Sequence, residues 1–181
     1  FGWLMLGAGL FWLISRAAYD RVKLIWSLFF GMALQAVLAI WQFLTQSTLD
    51  NKWLGMSLHR AAELGASVIE TAGADGVGER WLRAYGGLDH PNMLGGIMAV
   101  GILLLIGEII RHDKFSIFNF QFSNKSQFSI FNFQTVYWVL LILFSAALFF
   151  SFSRSAWLAL VVGLATALAG AAFKKNFSAQ K

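Results

Sequence analysis

Long apolar runs constrain this chain more than anything else in it. The stretch VYWVLLILFSAALFF, beginning at Val136, holds no charged side chain, and comparable runs recur along the sequence. An α-helix rises about 1.5 Å per residue and a bilayer's hydrocarbon core is about 30 Å thick, so such runs approach the length of a transmembrane span. With 58% of residues hydrophobic and 13% charged, the balance departs from that of a soluble domain. Backbone polar groups find no water in lipid, and a helix satisfies them internally, so each run is expected to be helical.

Five spans can be drawn: Phe1 to Ser15, Leu24 to Thr45, Met93 to Ile110, Val136 to Phe152 and Ser155 to Phe173. Residue 1 is Phe and no cationic segment precedes the first run, which reads as a fragment that begins within a span. The formal charge of +5 lies in short loops between runs and not on one face, which argues for membrane topology and against nucleic acid. Arg16, Arg21 and Lys23, then Arg111, Lys114 and Lys125, then Lys174, Lys175 and Lys181 follow alternate spans, as the positive-inside tendency requires if all three groups are cytoplasmic. The segment 46–92 then faces outward, as does the turn Ser153-Arg154-Ser155, while 111–135 faces inward. That outer segment carries four Lys or Arg against six Asp or Glu, a mixed balance suited to a translocated loop.

The expected architecture is an all-α polytopic helix bundle forming a single membrane domain over 1–181. In the outer segment Trp53, Leu54, Leu58, Ala61, Ala62, Leu64, Val68 and Ile69 recur at helical spacing, which predicts an amphipathic helix lying in the interface with Trp53 as anchor. On its polar face His59 and Glu63 are four apart, but no third ligand stands at useful spacing, so they read as a solvated face. The chain has no cysteine, which removes disulfides and thiolate metal sites, and nothing in it calls for a cofactor. AGADGVGER, with no expected strand before it and no Lys-Ser or Lys-Thr after it, reads as a flexible connector and not a phosphate loop. FSIFNFQ occurs twice, at Phe115 and at Phe128, as a β-prone insertion in the inner loop or, in a sharper reading, a self-association or membrane-surface element.

Chemistry concentrates where the outer segment enters the third span, RWLRAYGGLDHPNMLGG, which includes the single proline of the chain. Topology brings Arg80, Arg83, His90 and Arg154 to one membrane boundary. A lone arginine there can simply snorkel to lipid phosphate. Several together present planar donor forks suited to a diphosphate whose lipid tail stays in the bilayer. Pro91 suits the first turn of a helix, Asp89 or Asn92 is the expected cap, and His90 projects from the mouth of the span. His90 is also a candidate general base, with Asp89 and Glu79 weaker ones.

Arg83, Gly86 or Gly87, His90-Pro91-Asn92 and Leu94-Gly95, followed two spans later by Ser153-Arg154-Ser155-Ala156-Trp157-Leu158, form a pattern that resembles the O-antigen ligase and O-antigen polymerase superfamily over about residues 24–173. The resemblance implies a metal-independent, inverting glycosyltransferase of the bacterial inner membrane, active on its extracytoplasmic face. It would take a glycan from undecaprenyl diphosphate and join it to a hydroxyl of a glycan, lipid or protein acceptor, as in lipopolysaccharide synthesis. By the same resemblance Arg83 and Arg154, with Arg80 a weaker third, engage the carrier's diphosphate, while Gly86, Gly87, Pro91, Asn92 and Ser153 belong to the structural motif. It also implies further spans and a second outer loop beyond this stretch, bearing the acceptor site, so the stretch alone falls short of a complete enzyme. Two other classes compete: a transporter or flippase, disfavoured by spans nearly free of ionisable residues, and a non-catalytic membrane scaffold whose arginines only anchor to lipid.

Overall fold

The computed structural model describes residues 2–16, 20–54, 56–72, 78–111 and 133–178. The chain divides into two compact units, Phe1–Gly31 and Met32–Lys181. The first holds α1 (Gly2–Arg16) and the start of α2 (Arg21–Thr45). Arg16 closes α1, where a cation complements the helix dipole, and its guanidinium lies 5.3 Å from the Trp12 ring centre. Asp20 caps α2, its Oδ1 accepting from the Val22 amide at 2.9 Å.

The second unit continues α2 from Met32 and adds α3 (Pro91–Arg111), α4 (Phe133–Ser151) and α5 (Arg154–Ser178). α3 packs against both α4 and α5. Its buried residues Leu94, Met98, Ala99, Ile102 and Leu105 follow helical spacing and meet Phe144, Ala147 and Leu148 of α4 in the core. Gly95 lets α3 approach the α4–α5 turn: a Cβ there would stand 2.7 Å from the Ser153 Cβ and 2.9 Å from that of Ala156. Away from the core the helices stay greasy, with Leu34, Val37 and Leu44 of α2, Ile142 of α4 and Leu158 and Val161 of α5 all exposed.

All five helices stand where apolar runs predict them, with ends shifted by a few residues. Among the described residues two, Arg21–Thr45 and Pro91–Ile110, are long and apolar enough to cross a membrane, and Thr135–Ser151 and Arg154–Gly170 are shorter apolar stretches. The FSIFNFQ copies fall almost wholly outside the described residues.

The outer segment differs from expectation. In place of an amphipathic helix it forms a 3-10 turn at Lys52–Leu54, a fold-back loop and a hairpin of β1 (Val68–Thr71) with β2 (Glu79–Leu82). The strands are antiparallel, pairing Val68 with Leu82 and Thr71 with Glu79. Two causes act against the helix. Gly65 has a φ of +90°, which ends any helical run, and the β-branched Val68, Ile69 and Thr71 gain cross-strand partners. Trp53 and Leu64, expected on the helix's buried face, are 96% and 98% exposed. His59 and Glu63 are consequently not neighbours on a helix; Glu63 instead accepts from the Arg60 amide in a turn. A strand does precede AGADGVGER, contrary to the sequence reading, but another strand follows where a phosphate loop needs a helix.

Candidate functional site

The site is built where four helix ends meet. The C-terminal ends of α2 and α4 and the N-terminal ends of α3 and α5 all contact residues 82–95, so the outer segment and the α4–α5 turn lie at the same end of the helices.

Three glutamines hold the loop: Gln35 and Gln42 on α2, and Gln46 just past its end, where the backbone has a φ of +54°. Gln46 accepts from the Leu82 amide at 2.6 Å, and Gln35 from the Gly87 amide at 2.6 Å. Gln42, fully buried, accepts from the Tyr85 and Gly86 amides at 3.1 and 2.8 Å and donates to the Gly86 carbonyl at 2.7 Å. Gly86 has a φ of +65°, and a Cβ there would sit 2.9 Å from the Gln35 Oε1, so both the turn and the close approach require glycine. These glutamines were not singled out from sequence. Gln35 and Gln42 do carry a signal, since residues seven apart share a helix face and polar side chains in an apolar run need partners.

Arg83 ties the loop to the bundle. Its Nε donates to the Ser151 carbonyl at 2.8 Å, one terminal nitrogen to the Ser67 hydroxyl at 3.0 Å, and the other to the Asn92 side-chain oxygen at 2.8 Å. The Ala84 amide donates to the Phe150 carbonyl at 3.0 Å, so residues 83 and 84 together satisfy two carbonyls at the end of α4. A cation there also complements the negative end of that helix.

None of the three acceptors carries a charge, and among the described residues no carboxylate pairs with Arg83. Burial pulls the guanidinium below its ordinary pKa, with Tyr85 opposing. For a base whose folded pKa is depressed, the cost of staying charged is present at every pH below that pKa, and a guanidinium stays charged at all ordinary pH. An anion at this point offsets that cost. Three of the five N–H donors of a guanidinium are used, so donors remain to meet one.

His90-Pro91-Asn92 divides its work differently from the sequence reading. His90 is the cap: its carbonyl accepts from the Met93 amide at 3.0 Å and its Nδ1 from the Asn92 amide at 3.1 Å. Neither Asp89 nor Asn92 caps α3, because Asn92 has turned its side chain to Arg83. Pro91 opens the helix and is buried. His90 is exposed, with Nδ1 engaged and Nε2 without a partner among the described residues.

Ser153 caps α5, its hydroxyl accepting from the Ala156 amide at 3.3 Å. Arg154 is then the first residue of α5, exposed and without an ion pair or hydrogen bond among the described residues. A cation is disfavoured at a helix N-terminus, so helix stability does not account for it. The preceding turn carries Phe152 at a φ of +48°, and Phe150 stacks on Phe43 of α2 at 4.3 Å. Arg80 is not part of this assembly. It lies on β2, 3.7 Å from Glu70 across the hairpin.

Beside the loop opens a cleft of about 230 Å³ lined by Thr48, Ser57, His59, Gly86 and Asp89 among others. His59 stacks on the buried Tyr85 at 4.9 Å, and its Nε2 is 3.1 Å from the Ser57 hydroxyl. Among the described residues no group of three or more His, Asp or Glu is arranged to hold a metal ion. No family model, no curated protein and no solved structure matches this chain.

Proposed function

We propose that this chain is the donor-binding part of a polytopic membrane glycosyltransferase of the O-antigen ligase or polymerase kind. In this reading the five helices cross the bacterial inner membrane and the segment 46–92 faces outward. The enzyme transfers a glycan from undecaprenyl diphosphate to an acceptor hydroxyl. The observation that carries the reading is the partly buried Arg83, paired among the described residues with neutral acceptors alone, and the exposed Arg154 of the α4–α5 turn, which has no partner among those residues. The apolar outer faces of α2, α4 and α5 support placement in lipid, since they are exposed without a protein partner.

The chemistry follows from where charge develops. The acceptor oxygen attacks the anomeric carbon on the face opposite the diphosphate, and the bond from that carbon to the phosphate oxygen breaks with its electron pair on the oxygen. The remaining donors of Arg83 and the Arg154 guanidinium meet the negative charge that grows there. The proton of the acceptor hydroxyl passes to a base; with Nδ1 accepting from the Asn92 amide, a neutral His90 ring carries its proton on Nε2, so this exposed imidazole serves as that base only through Nδ1, once the bond to Asn92 is given up.

A second reading, a scaffold in which Arg83 is only a tie between loop and helices, is favoured by its three protein acceptors. Arg154 separates the two because it holds nothing together. Arg154→Lys in membranes should lower glycan transfer about 100-fold while leaving insertion and thermal stability unchanged. Transfer at the original rate in both Arg154→Lys and Arg83→Lys would overturn the assignment of these arginines to the diphosphate, and no transfer by the original protein would leave the scaffold reading in its place.

A further inference from the structure

The cleft beside Tyr85 has no part in the charge stabilisation above, yet it gathers the polar side chains of two separate loop segments. Thr48 shapes its wall: the hydroxyl donates to the Ser57 carbonyl at 2.8 Å and accepts from the His59 amide at 2.6 Å, which closes the fold-back loop on itself. His59 is fixed from the other side by its stack on Tyr85, whose hydroxyl accepts from the Ser67 amide at 2.6 Å. The result is a rigid imidazole and hydroxyl pair on one wall and the exposed Asp89 carboxylate on another.

This lining selects among ligand classes. Among the described residues no lysine or arginine lines the cleft, so none is there to meet an anion. The described residues hold no metal-ligand cluster, so a divalent cation lacks its donors. What the cleft offers is a carboxylate acceptor, a hydroxyl and imidazole able to donate or accept, and the apolar side chains of Met56 and Leu88. That is the complement of a neutral ring with several hydroxyl groups and a C–H face. Its volume, about 230 Å³, lies below the roughly 300–1,000 Å³ of pockets for drug-sized ligands and suits a single ring.

We propose that this cleft binds one neutral sugar ring, with Asp89 and the Ser57–His59 pair hydrogen-bonded to its hydroxyls. The choice of a sugar over another polyol rests on the transferase reading. The ring belongs either to the glycan on the lipid carrier or to the acceptor. The shared Gly86–Asp89 turn keeps it next to the loop that carries Arg83.

Saturation-transfer NMR with the protein in nanodiscs tests this, using methyl glycosides of a panel of neutral hexoses and N-acetylhexosamines as probes. At least one should bind, and Asp89→Ala and His59→Phe should each weaken it about 10- to 100-fold, the loss typical of a hydrogen bond to a charged or fixed partner. Phe keeps the stack on Tyr85 while removing the ring nitrogens. Ser57→Ala, at an exposed position, gives the same comparison without touching that stack. Arg154→Lys should bind as the original does. If the original protein shows no glycan transfer, the transferase reading falls while the sugar site stands. Weaker binding of undecaprenyl diphosphate-linked glycan in the Asp89 variant assigns the ring to the carrier, and weaker binding of free acceptor glycan assigns it to the acceptor. Binding of no glycoside, or equal binding by all three cleft variants, overturns the proposal.

Discussion

Replacing Gln42 by leucine tests whether the α2 glutamines hold the loop. The side chain is fully buried, and its amide serves the Tyr85 N–H, the Gly86 N–H and the Gly86 carbonyl at once. Leucine matches its bulk but strands all three backbone groups where water does not reach. An unsatisfied buried group costs about 1–3 kcal/mol, so the loop should lose about 3 kcal/mol or more. That is roughly 100-fold or more in its opening equilibrium. Hydrogen–deuterium exchange in nanodiscs reads it directly, as a comparable loss of protection at the Tyr85 and Gly86 amides. Exchange at Tyr85 and Gly86 within about twofold of the original in Gln42→Leu would refute the reasoning, since no set of stranded amides is that tolerant.

Other substitutions address neighbouring joints. Gly95→Ala pushes α3 away from the α4–α5 turn and should cost about 1–3 kcal/mol, seen as a lower Tm in detergent; an unchanged Tm would mean that the turn moves aside freely. Ser153→Ala removes the cap of α5 and should cost about 1 kcal/mol by the same measurement. His90→Asn separates capping from proton transfer: asparagine caps well, so Tm should hold, and glycan transfer should fall on the order of 100-fold if the imidazole takes the proton. Full transfer in that variant would reduce His90 to a cap.

How much of this was legible in the sequence depends on how many structures each pattern allows. A long apolar run with no charge has one economical solution, and the helices fell within a few residues of their expected ends. The outer segment was ambiguous because Val68 and Ile69 fit both a helical stripe and a strand. Gly65 and the β-branched run decided for the strand, and this weighs more than spacing in a segment with so few apolar partners. The N-terminus of α3 was placed correctly but its cap was not. Asparagine and aspartate are better caps in general, yet here the Arg83 guanidinium competes for Asn92 and leaves the amides to His90. Convergence of Arg83 with the start of α3 and the end of α4 followed from topology alone. That Arg83 would spend three donors on the protein did not, because two of its acceptors lie in the serines of distant segments.

Gln35 and Gln42 make α2 a ratchet pawl for the loop, and Gln46 extends the attachment just past the end of the helix. Neighbouring residues of a helix lie about 100° apart around its axis, so a rotation of α2 by one residue would break both helical rungs together. α2 from Met32 onward and residues 82–87 must therefore turn, tilt or shift as one body. A lipid tail that nudged the outer face of α2 would move the Arg83 backbone with it, and a one-residue insertion between Gln35 and Gln42 would put Gln35 and Gln42 on different faces, so that only one of them could stay on the loop.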